Sequence, residues 1–128
     1  MKLIECVNAY MAAVELSQQD LDFKTAYALV RLKKKLQTQV DFFNKEEAKL
    51  TEKYADRDEN GEIIWKGPGK FQIRDIKRIE EYAKNREELG NMDVQEEFTP
   101  WRAPVPKSIK PANLEALEGF ITFVDEEV

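Results

Sequence analysis

Leu29, Leu36, Phe43 and Leu50 recur every seven residues, and Ala26, Val40 and Tyr54 lie on a second seven-residue series three or four positions away. This is an apolar stripe of a/d type, the spacing at which one helix lies along another. The chain therefore contains a long helix that needs a cover along its length. Residues 56–73 cannot continue it, because they hold Asn60-Gly61 and Gly67-Pro68-Gly69, both turn formers. Ile73, Ile76, Ile79, Tyr82, Ala83 and Leu89 then restart a helical period. Residues 22–89 read as a long helix, a Gly-bearing turn region, and a second helix running back antiparallel.

The flanks follow from this centre. Leu3, Ile4, Val7, Tyr10, Met11 and Val14 give residues 2–17 an amphipathic helical period. A connection near residues 18–22 follows, with Asp20 and Asp22 as candidate N-caps. Phe23 and Tyr27 sit at the start of the long helix, where the short helix is expected to fold back over them. Gly90 is a natural helix stop and Asn91 a candidate left-handed residue after it. Pro100, Pro104 and Pro106 exclude helix and predict an extended, polyproline-type arm through Trp101. Trp101, Val105 and Ile109 alternate with polar or proline positions, so the arm is expected to pack along the helices. Pro111 suits the first turn of a last helix, whose apolar face is Leu114, Leu117, Phe120 and Ile121 with Gly119 as its weak point. The expected fold is mainly α and one domain over residues 1–128. It is an antiparallel long-helix hairpin with a small β-hairpin inserted within residues 62–73, short terminal helices and an extended Pro-rich arm.

Composition narrows the function. One domain of 128 residues has room for one modest core. Charged residues make up 35% of it, which suits elongated helices with solvated outer faces. A net charge of -5 gives no general attraction to nucleic acid or anionic lipid. The charge is uneven: Arg31, Lys33, Lys34 and Lys35 form a basic run, and Asp125, Glu126 and Glu127 an acidic end. With no histidine and a single cysteine, Cys6, imidazole acid–base chemistry, a Cys-His pair and an intrachain disulfide are excluded. The adjacent carboxylates Glu46-Glu47, Glu80-Glu81, Glu87-Glu88 and Glu96-Glu97 point to different sides of a helix instead of one substrate. No enzyme, cofactor or metal site is expected. No apolar run reaches the roughly 18 residues a membrane span requires. The N-terminus lacks a signal-peptide apolar region. The expected setting is cytoplasmic, with no membrane partner.

Two motifs look chemical and fail on position. Residues 56–63 match the first eight positions of a calcium loop, through Asp56, Asp58, Asn60 and Gly61, but the twelfth position is Gly67, not a bidentate Glu. The alternative is a tight turn, for which Asn60-Gly61 is a preferred pair because both central residues take positive φ. Residues 62–65 and 70–73 are then two short strands about the Gly-Pro-Gly turn. Gly67-Pro68-Gly69-Lys70 resembles a phosphate loop only superficially, since position 64 is Ile, position 71 is Phe, and Pro68 has no N–H. The basic run at residues 31–35 admits a nucleic-acid reading. It also reads as the solvated face of a helix, because Leu32 and Leu36 keep the apolar stripe going through it.

The order of these signals resembles a family of small, uncharacterised proteins encoded by phages and prophages of low-GC Gram-positive bacteria. The resemblance rests on the Lys-rich helix through Phe42-Phe43, residues 50–55 running into Asp58-Glu59-Asn60-Gly61-Glu62, the return helix, the arm at residues 98–106, and residues 111–118. It covers most of the chain, departing between Ile64 and Phe71 and in the aromatic Trp101 arm. It implies a phage context and a bacterial host cell, with no established activity and no functional residue to carry over. The function expected is that of a non-catalytic interaction protein presenting a helical surface to a host or phage protein, inhibition of a host system being one such role. Leu36, Phe43, Leu50, Trp65 and Trp101 are the candidate interaction residues. The alternative is a nucleic-acid or nucleotide binder using Arg31, Lys33, Lys34 and Lys35. The stripe from Leu29 to Leu50 spans about 31 Å and the return helix about 24 Å, at 1.5 Å per residue. The short helix and the Trp101 arm cover the surplus within one chain, or a second copy does; the latter motivates a homodimer.

Overall fold

The computed structural model of the protein describes residues 1–125. It is mainly α-helical, and α2 (Phe23–Tyr54) is its spine. Asp22 starts α2 as an N-cap, its carboxylate accepting the Lys24 amide hydrogen at 2.9 Å. The 32 residues of α2 run for about 48 Å. Two shorter helices lie along it end to end: α1 (Leu3–Leu16), about 21 Å long, and α3 (Ile76–Gly90), about 22 Å long. Both run antiparallel to α2. Tyr10 of α1 donates to Gln37 (3.1 Å) while Leu3 reaches Phe43. On the other half, Arg78 donates to the Lys53 carbonyl (2.8 Å), Asn85 to the Tyr54 hydroxyl (2.8 Å) and Arg86 to Glu47 (2.9 Å).

The stripe on α2 is therefore covered inside one chain. Leu29 and Leu36 are wholly buried, Phe43 nearly so, and Leu50 half-buried. The main core sets Cys6, Ala9, Ala13 and Leu16 of α1 against Ala28, Leu29, Leu32 and Leu36 of α2. A second cluster forms where all three helices meet, at Leu3, Phe43 and Leu89. The buried face of α1 differs from the one its large residues indicate: Met11 is outside, and Cys6 and three alanines are inside. Small side chains let two backbones approach, so α1 seats its small face on α2. Gly90 serves the same end. A Cβ there would lie 3.2 Å from Cβ of Ile4, so Gly90 lets α3 close on α1. It is not a left-handed cap: Asn91 has φ -87°, and no non-glycine described residue has positive φ.

Residues 55–75 form the expected turn region. Asp58 and Gly61 close a tight turn (Gly61 N–H to Asp58 carbonyl, 3.0 Å), and only Gly61 is left-handed, at φ 78°. The turn therefore fits a type I turn followed by a left-handed glycine, in place of the expected double positive φ. β1 (Trp65–Gly67) pairs antiparallel with β2 (Lys70–Phe71) across Pro68-Gly69, with Gly69 at φ 70°. Asp56 ties this unit to the end of α2: its carbonyl accepts from Ile64 (2.9 Å) and its N–H donates to Gln72 (2.8 Å).

The C-terminal part departs further from expectation. The Pro-rich arm holds strand β3 (Trp101–Pro104), α4 (Pro111–Leu117) follows, and β4 (Ile121–Val124) returns to pair with β3 in parallel. Phe120 and Ile121 thus leave the helix they were expected to extend. Gly119, at φ 88°, ends it, and the turn sends the chain back as a strand. A parallel pair needs a crossover, and α4 supplies it. Glu126 and Glu127 of the acidic end lie outside the described residues.

One buried hydrogen bond fastens this unit to the spine. Thr25, 1% exposed, donates its hydroxyl to the Pro104 carbonyl at 2.9 Å. Thr25→Val keeps the shape and removes the donor, so it is expected to cost about 1–3 kcal/mol by leaving a buried carbonyl unpaired. Urea denaturation measures it through the shift in midpoint.

Candidate functional site

The face of α2 away from the core carries a short apolar ridge. Phe23, Tyr27 and Val30 stand at i, i+4 and i+7, and the first two are 76% and 63% exposed. Leu29, Leu32 and Leu36, on the opposite face, are fully buried. α1 does not fold over Phe23 and Tyr27 as the sequence suggests, because it is seated on the stripe face and a helix cannot cover both sides. Arg31 and Lys34, both exposed, flank the ridge. A signal for it exists in the sequence: a second i, i+4, i+7 apolar set, rotated away from the seven-residue stripe.

The expected interaction residues are dispersed. Leu36 and Phe43 are core, and Leu50 is half-buried against the three-helix junction. Trp101 is half-buried against the main core through β3. Of the five, Trp65 alone is largely exposed, at 55%. It ends a chain of edge-to-face rings running through Phe71 (6.4 Å) and Tyr82 (5.2 Å from Phe71) to Tyr54 (6.1 Å from Tyr82). This ladder holds the hairpin on α3, and burial pushes the Tyr82 phenol above its ordinary pKa. A shallow cleft opens beside it, crossed by the Arg86–Glu47 ion pair.

The basic run does not make one surface. Successive helical residues turn by about 100°, so Lys33, Lys34 and Lys35 point to three sides of α2. Lys35 lies over the Phe98 ring, 5.4 Å from its centroid, and Lys33 is half-buried. Arg31 and Lys34 remain as outward-facing cations.

The residues of the calcium-like loop are engaged by their own backbone. Asp58 Oδ1 accepts from the N–H groups of Asn60 (2.9 Å) and Glu62 (3.0 Å), and Asp56 Oδ2 from the Arg74 N–H (2.9 Å) and Gln72 side chain (3.2 Å). Among the described residues no group of three or more His, Cys, Asp or Glu is placed to hold a metal ion. None of their helices is long and apolar enough to cross a membrane.

Cys6 is fully buried in the core, and burial, reinforced by Glu5, raises its thiol above its ordinary pKa. A neutral, inaccessible thiol is a poor nucleophile. An aromatic disulfide reagent is accordingly expected to leave Cys6 unmodified in the native protein and to react within minutes in denaturant, which absorbance reports directly.

A concavity of about 780 Å³ lies between α1 and α4. Its charged lining is Glu5, Glu15, Glu115 and Glu118, with no lysine or arginine. Lys110, at the start of α4, pairs with Glu15 at 2.5 Å, and this contact holds the Glu15 carboxyl below and the Lys110 ammonium above their ordinary pKa values. The pair is solvent-exposed and pins α4 to α1 only weakly. Comparison with known proteins finds no family model, no curated protein and no solved structure that matches this chain.

Proposed function

We propose that this is a non-catalytic interaction protein that presents the outer face of α2 to a protein partner. The observation that supports it is the exposure of Phe23 and Tyr27, 76% and 63%, on the far side of a helix whose inner residues Leu29, Leu32 and Leu36 are fully buried. Exposed aromatics at i and i+4 are the anchors by which a helix enters a partner's groove, and aromatic anchors dominate interface energetics. α2 is held rigid by α1 and α3, so little ordering free energy is lost on docking. The resemblance to phage-encoded proteins adds a setting. The partner is then a host or phage protein in a bacterial cell, and inhibition of a host system is one consequence of occupying its groove.

The test is affinity capture from cells with the unmodified protein and with Phe23→Glu/Tyr27→Glu. Both positions are exposed, so the variant should keep its helicity and melting temperature and lose the specific partner. An unchanged set of captured proteins would overturn the reading. Retention on heparin that weakens steeply with salt, and vanishes in Arg31→Ala/Lys34→Ala, would replace the protein partner by nucleic acid.

A further inference from the structure

The groove between α1 and α4 and the ridge on α2 match each other. The groove floor is apolar and low: Ala12 and Ala116 are small, and Phe120 closes the base. Met11, 58% exposed, stands on its lip, and methionine is the apolar side chain most able to adapt to an incoming surface. The walls are acidic. Glu15 is paired with Lys110, while Glu5, Glu115 and Glu118 make no ion pair among the described residues. A groove of this kind takes a helix with a narrow apolar ridge and cationic flanks. From Glu5 to Gln18 it follows α1 for about 20 Å.

The ridge has those properties. Phe23, Tyr27 and Val30 are its apolar line, and Arg31 and Lys34 its cations. From Phe23 to Lys34 it runs for about 17 Å, shorter than the groove. The two features lie on opposite sides of the molecule, since α1 sits on the inner face of α2, the groove is on the outer side of α1, and the ridge is on the outer side of α2. No chain can put its own ridge into its own groove.

We infer that the groove between α1 and α4 receives the Phe23-Tyr27-Val30 ridge of a second copy of this chain, with Arg31 and Lys34 facing Glu5, Glu115 and Glu118. The inference rests on the reading of the ridge as a docking surface and names one partner for it. Because the two patches differ, the contact is head-to-tail: each pair keeps one open groove and one open ridge, and association continues with concentration. Its electrostatic part should weaken with salt, as the screening length falls from ~10 Å at 0.1 M to ~3 Å at 1 M.

Sedimentation velocity of the full chain over a concentration series, at low and high salt, tests it with two variants. Phe23→Glu/Tyr27→Glu removes the ridge, and Met11→Lys/Glu115→Lys reverses the groove at exposed positions. The unmodified protein should grow in mass with concentration, and each variant should associate at least about tenfold more weakly. Mixed in equal amounts, the two variants should form a one-to-one complex and nothing larger, because each keeps the patch the other lacks. A groove variant that fails to fold is replaced by Glu115→Lys/Glu118→Lys, checked by its melting curve. An unmodified protein that stays monomeric at every concentration overturns the inference, while the capture experiment still decides the ridge reading separately. Association that survives in the groove variant and is lost in the ridge variant, with no complex on mixing, also overturns it in favour of a symmetric ridge-to-ridge dimer.

Discussion

Phe43→Ala is expected to cost about 3–5 kcal/mol of folding stability, the range for removing a buried aromatic side chain. Phe43 is 3% exposed and stands where α1, α2 and α3 meet, between Leu3 and Leu89. The guanidinium of Arg86 lies over its ring, 5.8 Å from the centroid, so the variant also loses a cation–π contact. Collapse cannot fill the space easily, because Gly90 and Ile4 already bring α3 and α1 as close as their backbones allow. The melting temperature should fall on the order of 10 °C. The outcome separates two roles for the same residue: a stripe used for dimerisation would lose mass on substitution and keep its fold, whereas a junction residue loses the fold. Thermal melting with light scattering reads both.

Leu36→Ala is expected to cost about 2–5 kcal/mol, and Tyr27→Ala, nine residues earlier on the same helix, within about 0.5 kcal/mol. Leu36 is wholly buried in the main core with Leu29 and Leu32, under the alanine face of α1. Leu32 and Leu29 are pinned by the same packing, so the site relaxes only partly and a cavity remains. Tyr27 has 63% of its surface in water and is not part of the buried core. Urea midpoints of the two variants therefore measure the rotation of α2 about its axis. Equal costs would mean that the helix presents a different face to the core.

Much of the scaffold was legible because periodicity reports burial. The seven-residue recurrence located α2 and its buried side, Asp20 and Asp22 were the two candidate caps at its start, and Asn60-Gly61 and Pro68-Gly69 marked the turns that follow it. Whether the short helix or a second copy covers the surplus stripe was not legible, because α1 packs largely through Cys6 and alanines, residues that carry little hydrophobic signal and let backbones approach closely. The C-terminal strand was missed for a related reason. Leu117, Phe120 and Ile121 fit a helical period, and only the positive φ of Gly119 and the pairing partner at residues 101–104, distant in sequence, make the last part a strand. Tertiary pairing overrides local pattern over such short stretches. Phe23 and Tyr27 of the exposed ridge were expected beneath the short helix, since spacing alone cannot say which of two apolar faces a second helix will choose.

Site-specific photo-crosslinking in living cells tests the central reading most directly, with a photoreactive phenylalanine analogue placed in turn at Phe23, Tyr27, Phe43 and Leu50. Positions 23 and 27 should give adducts to another polypeptide, and positions 43 and 50 adducts only within the chain. Intermolecular adducts from 43 or 50, with none from 23 or 27, would mean that partners meet the seven-residue stripe and that the outer face of α2 is merely solvated.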